Sequence, residues 1–202
     1  MRGFSCLAGV AASVLSACGG PVSAPREPDG RAIAFGAVDA RHACFTCHGF
    51  TGEGRGDAPR LAGLEAGYIA KQLEDYARQT RPDDVMTPIA RALTDRQRRA
   101  VALYYATQTI DIGAPTAPAP AIWRGDETRG VRACADCHSL DAGSIEAGPH
   151  IAAQPAAYTA AQLDRWRRGV RRNDPNDEMG RIGRALKDEE IAALSAYLER
   201  SP

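Results

Sequence analysis

The stretch CFTCH at residues 44–48 is echoed by CADCH at 134–138, and this echo constrains the fold more than any other feature of the chain. The offset of 90 residues reaches well beyond the motif. It matches Pro59 with Pro149, Leu61 with Ile151, Tyr68 with Tyr158, Gln72 with Gln162, Leu73 with Leu163 and Arg81 with Arg171. Three extra residues in NDPNDEM then move the register to 93, pairing Met86 with Met179, Arg91 with Arg184, Leu93 with Leu186 and Tyr104 with Tyr197. Two copies describe a duplicated domain rather than a repeat array.

Each copy reads as helical, which makes the fold class all-α. Both CxxCH motifs are expected at the end of a short helix. GYIAKQLEDYARQ and AAYTAAQLDRWRRG carry helical stripes, Tyr68, Gln72, Leu73 and Tyr76 in one, Tyr158, Gln162, Leu163 and Trp166 in the other. TDRQRRAVALYYA opens with a capping box from Thr94 to Gln97, and its counterpart KDEEIAALSAYLE can start from Asp188. No stretch alternates like a strand. DIGAPTAPAP cannot form a helix and favours extended geometry, so residues 111–121 are read as a linker. The domains are then 31–110 and 122–202.

The first 18 residues read as a targeting segment: Arg2, a short apolar run too brief to span a bilayer, then Leu15-Ser16-Ala17-Cys18. That ending resembles the lipobox of bacterial lipoproteins, with Cys18 as the lipid-modified residue. An ordinary cleaved signal is the alternative. Gly- and Pro-rich residues 19–30 form the expected flexible tether. The expected location is the periplasm, on a lipid anchor.

Set aside Cys6 in the signal and Cys18, and the remaining four cysteines all belong to a CxxCH. Disulfides are therefore not the framework. Two small domains with only 6% aromatic residues nevertheless need a staple, which these four cysteines must hold. A zinc site needs four ligands, and only His42 and His150 are spare; a redox dithiol expects a βαβ context that is missing. Covalent haem attachment fits both copies. Cys44 and Cys47, and again Cys134 and Cys137, would form thioethers to a porphyrin, with His48 and His138 placed beneath the iron. With 25 basic and 25 acidic residues, the charge gives no support for nucleic-acid binding.

Apart from the start residue, the only methionines are Met86 and Met179, 38 residues after His48 and 41 after His138. A lone Met is usually core filler. Two at equivalent positions, each in a loop before the last helix, are read as the sixth iron ligands. His/Met ligation leaves no open coordination position, which favours electron transfer over haem catalysis. Arg81 and Arg171 are candidates for pairing with haem propionates, with solvated surface arginines as the alternative. His42 and His150 are not expected as ligands, and His150 is expected at the surface or beside a propionate. The run RWRRGVRR, 165–172, is a local basic patch that could steer an acidic partner, with solvation or propionate pairing as the alternatives.

These residues resemble the di-haem cytochromes c of the cytochrome c4 type, built from two tandem class I cytochrome c domains. The resemblance rests on the paired CxxCH, on PRLAGLEAGYIAKQL with PHIAAQPAAYTAAQL, and on MTPIARALTD with MGRIGRALKD. It implies two covalently bound haem c groups, with Pro59 and Pro149 supplying the carbonyls that orient the haem histidines. It also implies propionates that approach one another between the domains. Partners would be redox proteins, such as a quinol-oxidising complex or dehydrogenase as donor and a terminal haem-copper oxidase as acceptor, with no small-molecule substrate. An electron-accepting subunit of a dehydrogenase for sulfur compounds or alcohols is the alternative, and a di-haem enzyme such as a peroxidase or thiosulfate dehydrogenase is a third reading. One departure is that Gln154 has no counterpart in the first copy.

Overall fold

A computed structural model describes residues 27–113, 117–138, 148–174 and 176–199. Residues 1–26, with the expected signal segment, most of the tether and Cys18, lie outside the described residues, as do residues 114–116 of the linker. No helix among the described residues is long and apolar enough to cross a membrane.

The first half contains α1 (Gly30–Ala34), α2 (Phe45–His48), α3 (Ala66–Arg78), α4 (Met86–Ala92) and α5 (Asp95–Ala106). The second contains α6 (Ala156–Arg167), α7 (Glu178–Ala185) and α8 (Asp188–Leu198). Among the described residues there is no strand, only the isolated bridges Arg55–Ala58 and Asp126–Val131.

Local chemistry accounts for the helix limits. Asp29 caps α1 by accepting from the backbone of Arg31 and Ala32 at 2.9 and 3.1 Å, so the first half is already packed at the end of the expected tether. Thr94 and Gln97 form the expected capping box of α5. α3 stops where Gln79 turns left-handed, at φ 61°. It buries Ile69, Leu73 and Tyr76 against α4 and α5.

The copies differ where their sequences do. α1 crosses α5 so closely that a Cβ on Gly30 would lie 2.1 Å from the Ala100 carbonyl oxygen. The matching residue of the second copy is Pro120. There the chain makes only a 3-10 turn, Ala121–Arg124, whose Trp123 meets Tyr197 edge-on at 5.4 Å. The second CxxCH likewise sits on a 3-10 turn, Cys134–Asp136, whereas the first occupies α2.

The halves are joined by a buried arginine that sequence reasoning passes over. Arg60 is fully buried. Its Nε donates to Ala152 O at 3.1 Å and its Nη2 to His150 O at 3.1 Å and His150 Nδ1 at 3.0 Å, while Nη1 donates to Ala62 O. The Arg60 backbone closes a two-way pair with the Gln154 side chain, 3.0 Å in each direction. His150, expected at the surface or beside a propionate, is instead buried in this interdomain contact. Arg60 and His150 are repeat equivalents, so the two copies meet near their pseudo-symmetry axis. Burial lowers the Arg60 pKa to about 10, which leaves it cationic at neutral pH. The basic run is also partly turned inward. Arg165 reaches Pro82 O and Asp83 in the other half, and Arg167 binds Leu186 O and Asp188.

Arg60→Ala would strand the carbonyls of Ala62, His150 and Ala152, each stranded buried group costing about 1–3 kcal/mol. The expected result is a loss on the order of 3 kcal/mol in denaturant unfolding, or a separate transition for each half. An unchanged single transition would overturn this reading.

Candidate functional site

α2 and the 3-10 turn at Cys134 present thiol and imidazole to the same apolar cavity. Cys44, Cys47, Cys134 and Cys137 are all free thiols. Burial pushes the Cys44 and Cys134 thiols up to about 11, the opposite of the lowered pKa that a redox dithiol uses. Among the described residues, no three His, Cys, Asp or Glu side chains converge to hold a bare metal ion. The zinc and dithiol readings therefore lack their chemistry.

The two histidines are oriented alike. His48 Nδ1 donates to Pro59 O at 2.8 Å, and His138 Nδ1 donates to Pro149 O at 2.9 Å. Burial lowers both imidazole pKa values, so both rings are neutral at pH 7. With Nδ1 carrying the proton, Nε2 keeps a lone pair for a metal. Space behind His138 is tight: a Cβ on Gly148 would lie 2.7 Å from Cys137 O and 2.9 Å from the imidazole Cε1.

The cavity measures about 880 Å³ and is lined from both halves. Its walls include both CxxCH motifs, Leu61, Leu73, Ile151 and Leu163, together with Met86 and Met179. Met86 is the first residue of α4 and Met179 the second of α7, so these methionines begin helices rather than sit in loops. Each backbone N–H is held by an aspartate: Met86 by Asp83 at 2.9 Å, Met179 by Asp174 at 2.8 Å. A flat apolar group bearing carboxylates, covalently attached at the cysteines, fits this donor set.

Between the halves, Arg81 and Arg171 form a crossed network. Arg81 donates to Gln72 Oε1 at 2.8 Å and Gln162 Oε1 at 2.7 Å; Arg171 donates to the same two oxygens at 3.2 and 2.9 Å. Arg81 also reaches the Tyr158 hydroxyl at 2.9 Å, and Arg171 the Tyr68 hydroxyl at 3.4 Å. Each guanidinium stacks 4.6 Å from an aromatic centroid, Tyr76 and Trp166 respectively. Only 3% and 7% exposed, they are not solvated surface arginines. Among the described residues neither has a carboxylate ion pair, so the cavity wall carries two buried guanidiniums held by neutral groups alone. Of the spare histidines, His42 is half-exposed and bonded to Asp39 at 2.8 Å.

Comparison with known proteins agrees with this geometry. The family description "Cytochrome c" matches residues 124–201, and "Cytochrome C oxidase, cbb3-type, subunit III" matches 31–104. A thiosulfate dehydrogenase electron acceptor of Stutzerimonas stutzeri (strain A1501) is 41% identical, over 95% of this chain and 92% of that protein. A cytochrome c4 of Thiocapsa roseopersicina is 38% identical, over 90% and 97%. The crystal structure of reduced cytochrome c4 from Pseudomonas stutzeri superposes with a TM-score of 0.73 at 30% identity, covering 85% of this chain and 98% of that one. A thiosulfate dehydrogenase from Marichromatium purpuratum gives 0.75 at 35% identity; the match covers 86% of this chain but only 40% of that longer one.

Fold and cavity define a di-haem cytochrome c of two class I domains, carrying two covalently bound haem c groups. The chain belongs to the cytochrome c4 family.

Because Arg171 binds the glutamines of both halves, Arg171→Leu should lower both haem potentials, by tens of millivolts. The removed cation favours the electron-richer ferrous state. Spectroscopic redox titration checks this, and unchanged potentials would show that the network serves docking alone.

Proposed function

We propose that this di-haem electron carrier accepts electrons from a dehydrogenase that oxidises thiosulfate and passes them to a terminal acceptor. The observation that carries the reading is the 41% identity, over nearly the full length of both chains, with a thiosulfate dehydrogenase electron acceptor. A second reading is a shuttle between a quinol-oxidising complex and a haem-copper oxidase, which the sequence resemblance to di-haem cytochromes c4 implies.

In both readings the residue roles are the same. Cys44 and Cys47 anchor the first haem and Cys134 and Cys137 the second. His48 with Met86, and His138 with Met179, would hold the two irons. Haem iron held by such a pair supplies a one-electron couple, with its potential raised by the thioether. Pro59 and Pro149 lock the imidazole tautomer through their carbonyls. Arg81 and Arg171 face the propionates, an assignment supported by two buried guanidiniums without carboxylate partners among the described residues. With a histidine and a methionine holding each iron, no position would be left for a substrate, which supports a carrier rather than the dehydrogenase itself. Its location is the periplasm, tethered through a lipid on Cys18, which the Leu15-Ser16-Ala17-Cys18 motif supports.

Mixing the oxidised holo-protein with a thiosulfate dehydrogenase and thiosulfate should reduce both haems within a turnover. Reduction only by a quinol-oxidising complex would favour the shuttle. Met86→Ala and Met179→Ala should each abolish the sulfur-to-iron band of one haem, lower its potential and open it to carbon monoxide. Rapid carbon monoxide binding to the unaltered protein would contradict the axial assignment. Cys18→Ala should release the protein from the membrane fraction; continued sedimentation with membranes would count against the lipid anchor.

A further inference from the structure

The carboxylate that holds the Met86 backbone also touches the other half of the molecule, and its counterpart beside Met179 does not. Asp83 Oδ1 accepts from the backbone N–H groups of Val85 and Met86 at 3.1 and 2.9 Å. Thr87 closes the turn: its hydroxyl accepts from Asp83 N at 3.1 Å, and its own N–H donates to Asp83 O at 3.0 Å. Residues 83–87 are thus a tied loop with Met86 inside it. The second oxygen of Asp83 lies 3.4 Å from Arg165 Nη1, and Arg165 Nη2 donates to Pro82 O. Arg165 belongs to α6 in the second half. Both side chains of the pair are about three-quarters buried, so water screens them less than at an open surface.

The repeat register supplies a matching contact across the boundary. At the offset of 90, Arg165 corresponds to Asp75 and Asp83 to Asn173. Those two residues also meet: Asn173 Nδ2 donates to Asp75 Oδ2 at 2.6 Å, and Lys71 Nζ donates to Asn173 O at 2.7 Å. Asn173, however, does not hold the methionine. The three extra residues of NDPNDEM place Met179 six positions after it, where Met86 lies three after Asp83. The N–H of Met179 is held instead by Asp174 Oδ2 at 2.8 Å, and the other Asp174 oxygen is buried with no hydrogen-bond partner among the described residues. The interdomain contact therefore reaches the cap of Met86 itself and stops one residue short of the cap of Met179.

We propose that Arg165 is a positioning residue for Met86: by holding Pro82 and Asp83 from the second half, it keeps the loop in the form that presents the thioether to the first iron. The proposal rests on the di-haem carrier reading. Ordering a loop costs free energy when a ligand on it binds, and a loop fixed beforehand by its neighbours avoids that cost. Only the first haem gains this support from across the boundary. Docking of the halves thus strengthens one axial bond and leaves the other to its own half, so two matched sites become unequal.

The test is Arg165→Gln in the full holo-protein, with imidazole as competitor for the sixth position of each ferric iron. Haem content and the sulfur-to-iron bands of the parent are recorded first, and absence of two His/Met haems would overturn the carrier reading itself. Release of each methionine is then followed through its paramagnetically shifted methyl signal, assigned by its loss in Met86→Ala and Met179→Ala. In Arg165→Gln, imidazole should displace Met86 at an about fivefold lower concentration, and Met179 at the concentration the parent requires. Asp75→Asn, which weakens the matching contact to Asn173, should leave Met86 as firmly held as in the parent. The proposal fails if Arg165→Gln releases neither methionine more readily, or both alike. It also fails if Asp75→Asn frees Met86 to the same extent, since that is a general loosening of the boundary.

Discussion

Two hydrogen bonds organise this molecule: His48 Nδ1 to Pro59 O, and His138 Nδ1 to Pro149 O. Each fixes an imidazole so that its other nitrogen faces the cavity, and each draws the loop after a CxxCH back under the motif. The residue following each proline then makes the domain contact. Arg60 follows Pro59, His150 follows Pro149, and they bind each other at 3.0 Å. Imidazole orientation and domain docking are thus one residue apart along the chain, so a disturbance of one reaches the other through a rigid peptide unit.

Buried positive charge is the second theme. Arg60, Arg81 and Arg171 are all nearly inaccessible, and among the described residues none pairs with a carboxylate. Such groups are costly unless their protons are well used. Arg60 spends its protons on carbonyls and an imidazole, which makes it structural. Arg81 and Arg171 share two amide oxygens, leaving the cavity wall with a field that suits an anionic cofactor edge. The same pair reaches into both halves, so any change in one cofactor's charge is felt across the boundary.

Much of this was readable from residue order. The duplication, the helices and their caps, the attachment cysteines, the paired prolines and the only two internal methionines follow from local chemistry repeated in register, and repetition separates signal from accident. The unread parts share a cause. His150 aligns with Arg60 in the repeat register, but a polar residue after a proline carries no pattern of its own that would show the two in contact. The basic run looked like a surface patch because spacing does not reveal which arginines turn inward to carbonyls of another segment. The second CxxCH turn and the missing counterpart of α1 trace to Pro120 and its neighbours, a signal present in the linker but read only as a boundary.

Sequence alone determined that this chain is a doubled all-α unit holding two haem c groups, because covalent attachment needs residues adjacent along the chain. Tertiary structure decided how the two units act together. The crossed arginine–glutamine network joins residues about 100 positions apart, and Arg165 of one half reaches the loop that precedes Met86 in the other. Burial and partnership are properties of space, and only the folded chain has them.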